Sequence, residues 1–184
     1  MKQLIIFASG SGSNAENIIR YFQENPSIKV VAVFSNKANA GVLAKAERLG
    51  VETIVFSKEE LEDGSVFEEI KKIRPDLIIL AGFLLKFPTQ IVEYYPRQIV
   101  NIHPALLPKY GGKGMYGMNV HRAILENKDP ETGITIHYVD AHYDKGEIIF
   151  QQKVKLDGTE TCEEISAKVQ KLEHEHFQIG RAHV

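Results

Sequence analysis

Asn101 and His103 stand two residues apart in the run Asn101-Ile102-His103-Pro104-Ala105-Leu106-Leu107-Pro108, directly after a strand-like apolar stretch. Side chains two apart on an extended chain point to one side, so this amide and imidazole can converge on one small group. A neutral amide donor beside a histidine suits a reaction that builds negative charge on a carbonyl oxygen, as acyl transfer does. Asp144 follows in the turn Asp140-Ala141-His142-Tyr143-Asp144-Lys145-Gly146. Its ordinary role there is to cap a turn. The functional alternative is a carboxylate that holds His103 cationic and relays protons through water. Composition and spacing alone do not choose between the two.

The chain has seven histidines, and the other six weigh less. His137 sits in an alternating run with Ile134, Ile136 and Tyr138, where a packed structural role is expected. His174 and His176 are two apart on a helical stretch and share no face. His142 lies in the loop before Asp144, His183 in the terminal run, and His121 at the base of a glycine-rich segment, where it is a candidate substrate contact. Nothing resembles HExxH or a Cys/His zinc spacing, so no metal is expected.

A second constellation, Ser9-Gly10-Ser11-Gly12-Ser13-Asn14, follows the first strand-like run. Glycines let a backbone approach an anion, and a helix start presents N–H groups with a favourable dipole. The same residues also suit a tight strand-to-helix turn with Ser13 or Asn14 as N-cap. Neither the dinucleotide spacing nor the P-loop lysine is present, so a bound phosphate would belong to a substrate.

The elements that must carry these residues alternate. Short apolar runs at 4–8, 30–34, 53–56, 77–81 and 99–102 read as buried parallel strands. Between them, 15–22, 40–49, 59–73 and 89–94 have helical period. This is the pattern of βαβ units, and it predicts an α/β, Rossmann-like fold with a mostly parallel sheet. Residues 134–139 and 148–156 read as an antiparallel addition, and 161–177 as a closing amphipathic helix with Glu163 and Glu164 in its first turn. With 184 residues, one domain over 1–177 is expected. A net charge of -2 offers no basic face for nucleic acid. The one cysteine, Cys162, fits a reducing, cytoplasmic setting. The first apolar run is too short for a membrane span.

Taken together, Ser9 to Asn14, Phe34-Ser35-Asn36-Lys37, Leu80-Ala81-Gly82-Phe83, Asn101-Ile102-His103-Pro104 through Leu106-Leu107-Pro108-Lys109-Tyr110, and Asp144-Lys145-Gly146 resemble the folate-dependent glycinamide ribonucleotide formyltransferases of purine biosynthesis. The likeness covers nearly the whole chain in order. It implies transfer of a formyl group from 10-formyltetrahydrofolate to the amine of glycinamide ribonucleotide. Asn101 and protonated His103 would stabilise the oxyanion, and Asp144 would act through water. The resemblance assigns Gly12, Ser13, Asn14 and Ala15 to the ribonucleotide phosphate, with Gln170 and Glu173 on its ribose and glycinamide side. It assigns Leu84, Leu85, Lys86, Phe87, Asn101, Asp140, Ala141, His142 and Tyr143 to the folate. Small molecules are the implied partners, acting on a monomer or homodimer, without nucleic acid or membrane.

Departures from the family are visible. Many members have a basic residue where Leu85 stands, so a contact to the folate tail is either missing or supplied by Lys86. Residues 110–121 are longer and richer in glycine than usual, which predicts a mobile loop near substrate. The segment before Arg74-Pro75-Asp76 is short, and the basic residue that members often carry there has no counterpart. Residues 178–184 match nothing in the family and read as a non-native tail on a truncated frame. A formyltetrahydrofolate hydrolase would be expected to carry a regulatory domain in front, and a methionyl-tRNA formyltransferase an RNA-binding appendage behind. A non-catalytic sugar-phosphate binding module would not need Asn101, His103 and Asp144. A nicotinamide dehydrogenase would need a GxGxxG loop and an acidic end to strand two, where Ser35-Asn36-Lys37 stands.

Overall fold

A computed structural model describes residues 1–141 and 144–177. The expectations for His142, Tyr143 and the tail 178–184 lie outside the described residues. The chain divides into two compact units, Met1–Val100 and Asn101–Phe177.

The first unit is built from β1 (Lys2–Phe7), α1 (Ser13–Phe22), β2 (Ile28–Ser35), α2 (Gly41–Arg48), β3 (Glu52–Val55), α3 (Lys58–Glu62), α4 (Ser65–Ile73), β4 (Leu77–Leu80) and α5 (Thr89–Tyr94). Its strands lie in the order β3-β2-β1-β4. All of these pairings are parallel, as the apolar runs predict. Leu4, Ile5, Ile6 and Phe7 are completely buried, so β1 is a central strand covered on both faces. Phe7 stacks on Phe34 at 4.6 Å and meets Phe87 edge-on at 5.0 Å, forming an aromatic core at the carboxyl ends of these strands.

One predicted helix is two. The stretch 59–73 breaks between α3 and α4 because Gly64 takes φ 95 and serves as the N-cap of α4. Asp63, which caps α3 at its carboxyl end, accepts a hydrogen bond from the Ser65 N–H at 2.8 Å. An Asp-Gly pair offers the chain a turn that competes with continued helix.

The second unit contains the end of β5 (Ile99–His103), then α6 (Met118–Asn127), β6 (Glu131–Tyr138), β7 (Ile148–Lys155) and α7 (Cys162–His176). The strand order here is β5-β6-β7, with β6 and β7 antiparallel. Gly133 is required at their crossing, since a Cβ there would lie 2.0 Å from the Gln152 carbonyl oxygen. Ala105, Val120, Ile124 and Ile165 form a buried cluster between α6 and α7, with Tyr110, Met115 and Leu156 packed against it. α7 opens with a capping box, Thr161 and Glu164 satisfying each other's backbone N–H groups. Among the described residues no helix is long and apolar enough to cross a membrane, and no cluster of three or more metal-ligating residues occurs.

Candidate active site

The second unit brings the catalytic candidates together. β5 ends with Asn101 half-buried and His103 buried to 3% exposure. The chain after it is tied back to its neighbours. The Thr135 hydroxyl donates to the Ala105 carbonyl at 2.7 Å and accepts the Leu107 N–H at 3.0 Å. Gln151 on β7 donates to the Leu107 carbonyl at 2.9 Å. With residues 105–107 pinned, the chain returns so that the Tyr110 carbonyl oxygen lies 2.7 Å from His103 Nε2. A carbonyl only accepts, so Nε2 carries a proton and Nδ1 is the nitrogen left for exchange. Nδ1 lies 3.7 Å from Asp144 Oδ2.

Asp144 is placed by backbone. Its φ is 52, in the left-handed region, and its Oδ2 accepts the Gly112 N–H at 2.9 Å. Burial pushes its carboxyl up, but the His137 contact, the field of His103 and the Gly112 hydrogen bond outweigh this and hold it below the usual carboxylate range. For His103 the balance runs the other way. Burial pulls the imidazole down, Asp144 and the Tyr110 carbonyl raise it, His137 opposes them, and the net shift is downward. Asp144 therefore resists, without cancelling, the desolvation that keeps His103 neutral, whereas the resemblance implies a protonated ring.

His137, expected to be structural, belongs to this group. Its Nδ1 is 2.8 Å from its neighbour Tyr138's carbonyl oxygen, which makes Nδ1 the donor. Its Nε2 is then an acceptor, 3.1 Å from Asn101 Nδ2. The same Nε2 is 3.5 Å from Asp144 Oδ1, long for a hydrogen bond; it favours the carboxylate only when the ring is protonated, since a bare Nε2 turns a lone pair to it. Alternation marks His137 as strand but does not say which strand lies beside it; placing β6 next to β5 sets it against Asn101. His121, expected at the loop base, sits in α6 at 4% exposure, with Nδ1 making no hydrogen bond. Burial, then the field of His103, lowers its pKa. Gln170 is exposed and Glu173 half-buried on α7, one turn apart. Asp140 and Ala141 are exposed at the end of β6.

The first unit arranges the glycine loop. The N-cap of α1 is Gly12, neither Ser13 nor Asn14, and it has φ 74. A Cβ at Gly12 would lie 2.4 Å from Val42 Cβ, so only glycine lets the start of α1 pack this closely on α2. Ser13, Asn14 and Ala15 form the first turn, at the positive end of the helix dipole. Ser9 is buried; its hydroxyl donates to Asn36 Oδ1 at 2.6 Å and accepts the Leu84 N–H at 3.1 Å. That serine joins the loop to the Asn36 and Leu84 segments. Leu84 is 41% exposed and Lys86 is exposed, whereas Phe87 is 6% exposed and spent in the aromatic core. An apolar wall for a ligand would come from Leu84 and Leu85, not from the Phe87 ring.

Comparison with known proteins gives a consistent result. The family model for formyl transferase matches residues 2–179. A chloroplastic phosphoribosylglycinamide formyltransferase of Arabidopsis thaliana is 38% identical over 96% of this chain and 63% of its own length. A similar plant relative from Vigna unguiculata is spanned over 58% of its length, so the chain covers less than two thirds of these two relatives. The phosphoribosylglycinamide formyltransferase of Escherichia coli is 38% identical, with 96% of this chain and 84% of that protein covered. The solved structure of phosphoribosylglycinamide formyltransferase from Brucella melitensis aligns with a TM-score of 0.86 at 35% identity, covering 96% of this chain and 92% of that one.

Proposed function

The chain belongs to the formyl transferase family, and from that premise we propose that it moves a formyl group from 10-formyltetrahydrofolate to the amine of glycinamide ribonucleotide, giving N-formylglycinamide ribonucleotide in purine biosynthesis. The observation that carries this reading is the grouping of half-buried Asn101, buried His103 and half-buried Asp144 around the end of β5. The name of the Escherichia coli relative, a phosphoribosylglycinamide formyltransferase, supports the acceptor, and the resemblance supports the folate donor.

In this reading the amine attacks the formyl carbon, and negative charge grows on the formyl oxygen. Asn101 has two amide N–H groups, one held by His137 Nε2, leaving the other for that oxygen. His103 exchanges its proton at Nδ1, because Nε2–H is held by Tyr110. A neutral ring has no proton at Nδ1 to give, so Nδ1 first takes the proton that the amine loses, and passes it to the folate nitrogen as the C–N bond to the folate breaks. The amine's proton reaches Nδ1 through water and Asp144, whose low pKa fits a relay rather than a lasting acceptor.

The remaining assignments rest on the resemblance. Gly12, Ser13, Asn14 and Ala15 hold the phosphate, which the N-terminus of α1 favours. Gln170 and Glu173 hold the ribose and glycinamide. Leu84, Leu85, Lys86, Asp140 and Ala141 contact the folate, with Leu84 and Leu85 as the apolar wall. The lone Cys162 supports a cytoplasmic setting.

Deformylation of 10-formyltetrahydrofolate, followed with and without glycinamide ribonucleotide, tests the proposal. Turnover only with the ribonucleotide is expected. Turnover in water alone would make the chain a hydrolase, and no turnover in either would make it a binding module.

A further inference from the structure

Tyr110 is in an unusual position for a tyrosine. Its φ is 56, a backbone region that large side chains adopt only when their surroundings compel it. The surroundings here are specific. The phenol oxygen accepts an N–H from Asn127 at 2.8 Å and donates to Asp129 Oδ2 at 2.7 Å. The ring packs on the cluster of Ala105, Val120, Ile124 and Ile165. Burial and Asp129 together raise the phenol's pKa despite the opposing Asn127 hydrogen bond, so the hydroxyl stays a donor.

The backbone held in this way touches both ionisable catalytic candidates within three residues. The Tyr110 carbonyl accepts His103 Nε2–H at 2.7 Å, and the Gly112 N–H donates to Asp144 Oδ2 at 2.9 Å. Gly111 lies between them under tight clearance, since a Cβ there would be 2.8 Å from Leu107 Cδ2 and 3.2 Å from Asp144 Cβ. Residues 110–112 thus form a strap that sets which His103 nitrogen bears the fixed proton and how far Asp144 stands from the other.

We propose that Tyr110 is a positioning residue for formyl transfer, its phenol anchored at Asp129 and Asn127 so that the 110–112 strap holds His103 and Asp144 in register. The inference rests on the proposed transferase function for its kinetic consequence, while the strap itself is testable on the free chain.

Tyr110→Phe removes the anchor and keeps the ring. The expected result is a kcat about tenfold lower with KM within about twofold, as for a misplaced rather than deleted catalytic group. The apparent pKa of the His103 limb should move down, since the Tyr110 carbonyl is one of the groups that raise it. In 15N NMR of the free protein, the His103 ring should change from an Nε2–H form to a mixture. Asp129→Ala should behave like Tyr110→Phe, and Asp129→Asn, which keeps an acceptor for the phenol, should return to near wild type. If Tyr110→Phe fails to fold, Asp129→Ala against Asp129→Asn makes the same comparison. A lower melting temperature with unchanged kcat and an unchanged His103 tautomer would overturn the proposal, as would Asp129→Asn being as impaired as Asp129→Ala. Wild-type protein without transferase activity would refute the function but not the strap, which the NMR reads independently.

Discussion

The pairing of Asn101 with His137 makes a prediction whose size follows from donor counting. Asn101 has two amide N–H groups, and the structure aims Nδ2 at His137 Nε2 across 3.1 Å. The His137 lone pair is available there because Nδ1–H is committed to the Tyr138 carbonyl at 2.8 Å. His137 would thus influence transfer by fixing the plane of the Asn101 amide. With Asn101 as the proposed oxyanion donor, Asn101→Ala should remove roughly 3 kcal/mol of transition-state stabilisation, so kcat should fall by about two orders of magnitude. His137→Ala leaves the donor in place but lets the amide rotate; a neutral hydrogen bond contributes about 1 kcal/mol, or roughly fivefold in kcat. If His137 works only through Asn101, the double variant should sit within about twofold of Asn101→Ala. The assay is single-turnover formyl transfer at saturating substrates for wild type, both single variants and the double variant, with thermal melts to confirm folding. A double variant about fivefold slower than Asn101→Ala would refute the reasoning, because His137 would then act independently, for instance through its 3.5 Å approach to Asp144. Asn101→Ala within twofold of wild type would remove the oxyanion role altogether.

Two further outcomes are expected. Gly12→Ala places a Cβ 2.4 Å from Val42 Cβ at a φ of 74, so urea unfolding should show a loss of about 2 kcal/mol or more, while Gly10→Ala, with nothing within 4 Å, should cost far less. Stability should also fall in two acid windows. His103 and His121 have folded pKa values below the ordinary 6.5, so the unfolded chain binds their protons first and unfolding free energy declines as pH drops below about 6.5; His121→Gln should flatten that slope. Glu160 is held at about 2, below its usual 4.5, by Lys168 and backbone N–H groups around the turn before α7. Its contribution is therefore complete above about 4.5 and lost as pH falls towards 2, a dependence that Glu160→Gln should abolish.

What could be read from the chain divides along a physical line. The runs that became β1 and β4 were legible because a strand buried on both faces is apolar throughout, and Leu4 to Phe7 admit no other assignment. Asn101 and His103 were legible as a pair because strand geometry places residues two apart on one side. α6 was not anticipated, since its start at Met118 follows a segment with glycines at 111, 112, 114 and 117 that masks any helical period. The pairing of His137 with Asn101 was out of reach because alternation reports that a residue is in a strand, not which strand lies next to it. The strap at 110–112 was also out of reach, because it acts through a carbonyl and an N–H that every residue possesses.

Those two unseen features change what the legible pair means. Asn101 and His103 are each half committed: one amide N–H goes to His137, and His103 Nε2–H goes to the Tyr110 carbonyl. Each keeps one working group, an N–H on Asn101 and Nδ1 on His103, so the protein's own hydrogen bonds specify orientation and leave a single valence for chemistry. Burial then pulls the His103 pKa down while Asp144 pulls it up. A histidine balanced in this way can bear a proton when negative charge develops beside it and release it when that charge is gone, as a formyl transfer requires at both ends of the reaction. Either influence alone would spoil this. Without Asp144 the downward shift would be larger, and without burial the carboxylate's upward pull would go unopposed by desolvation.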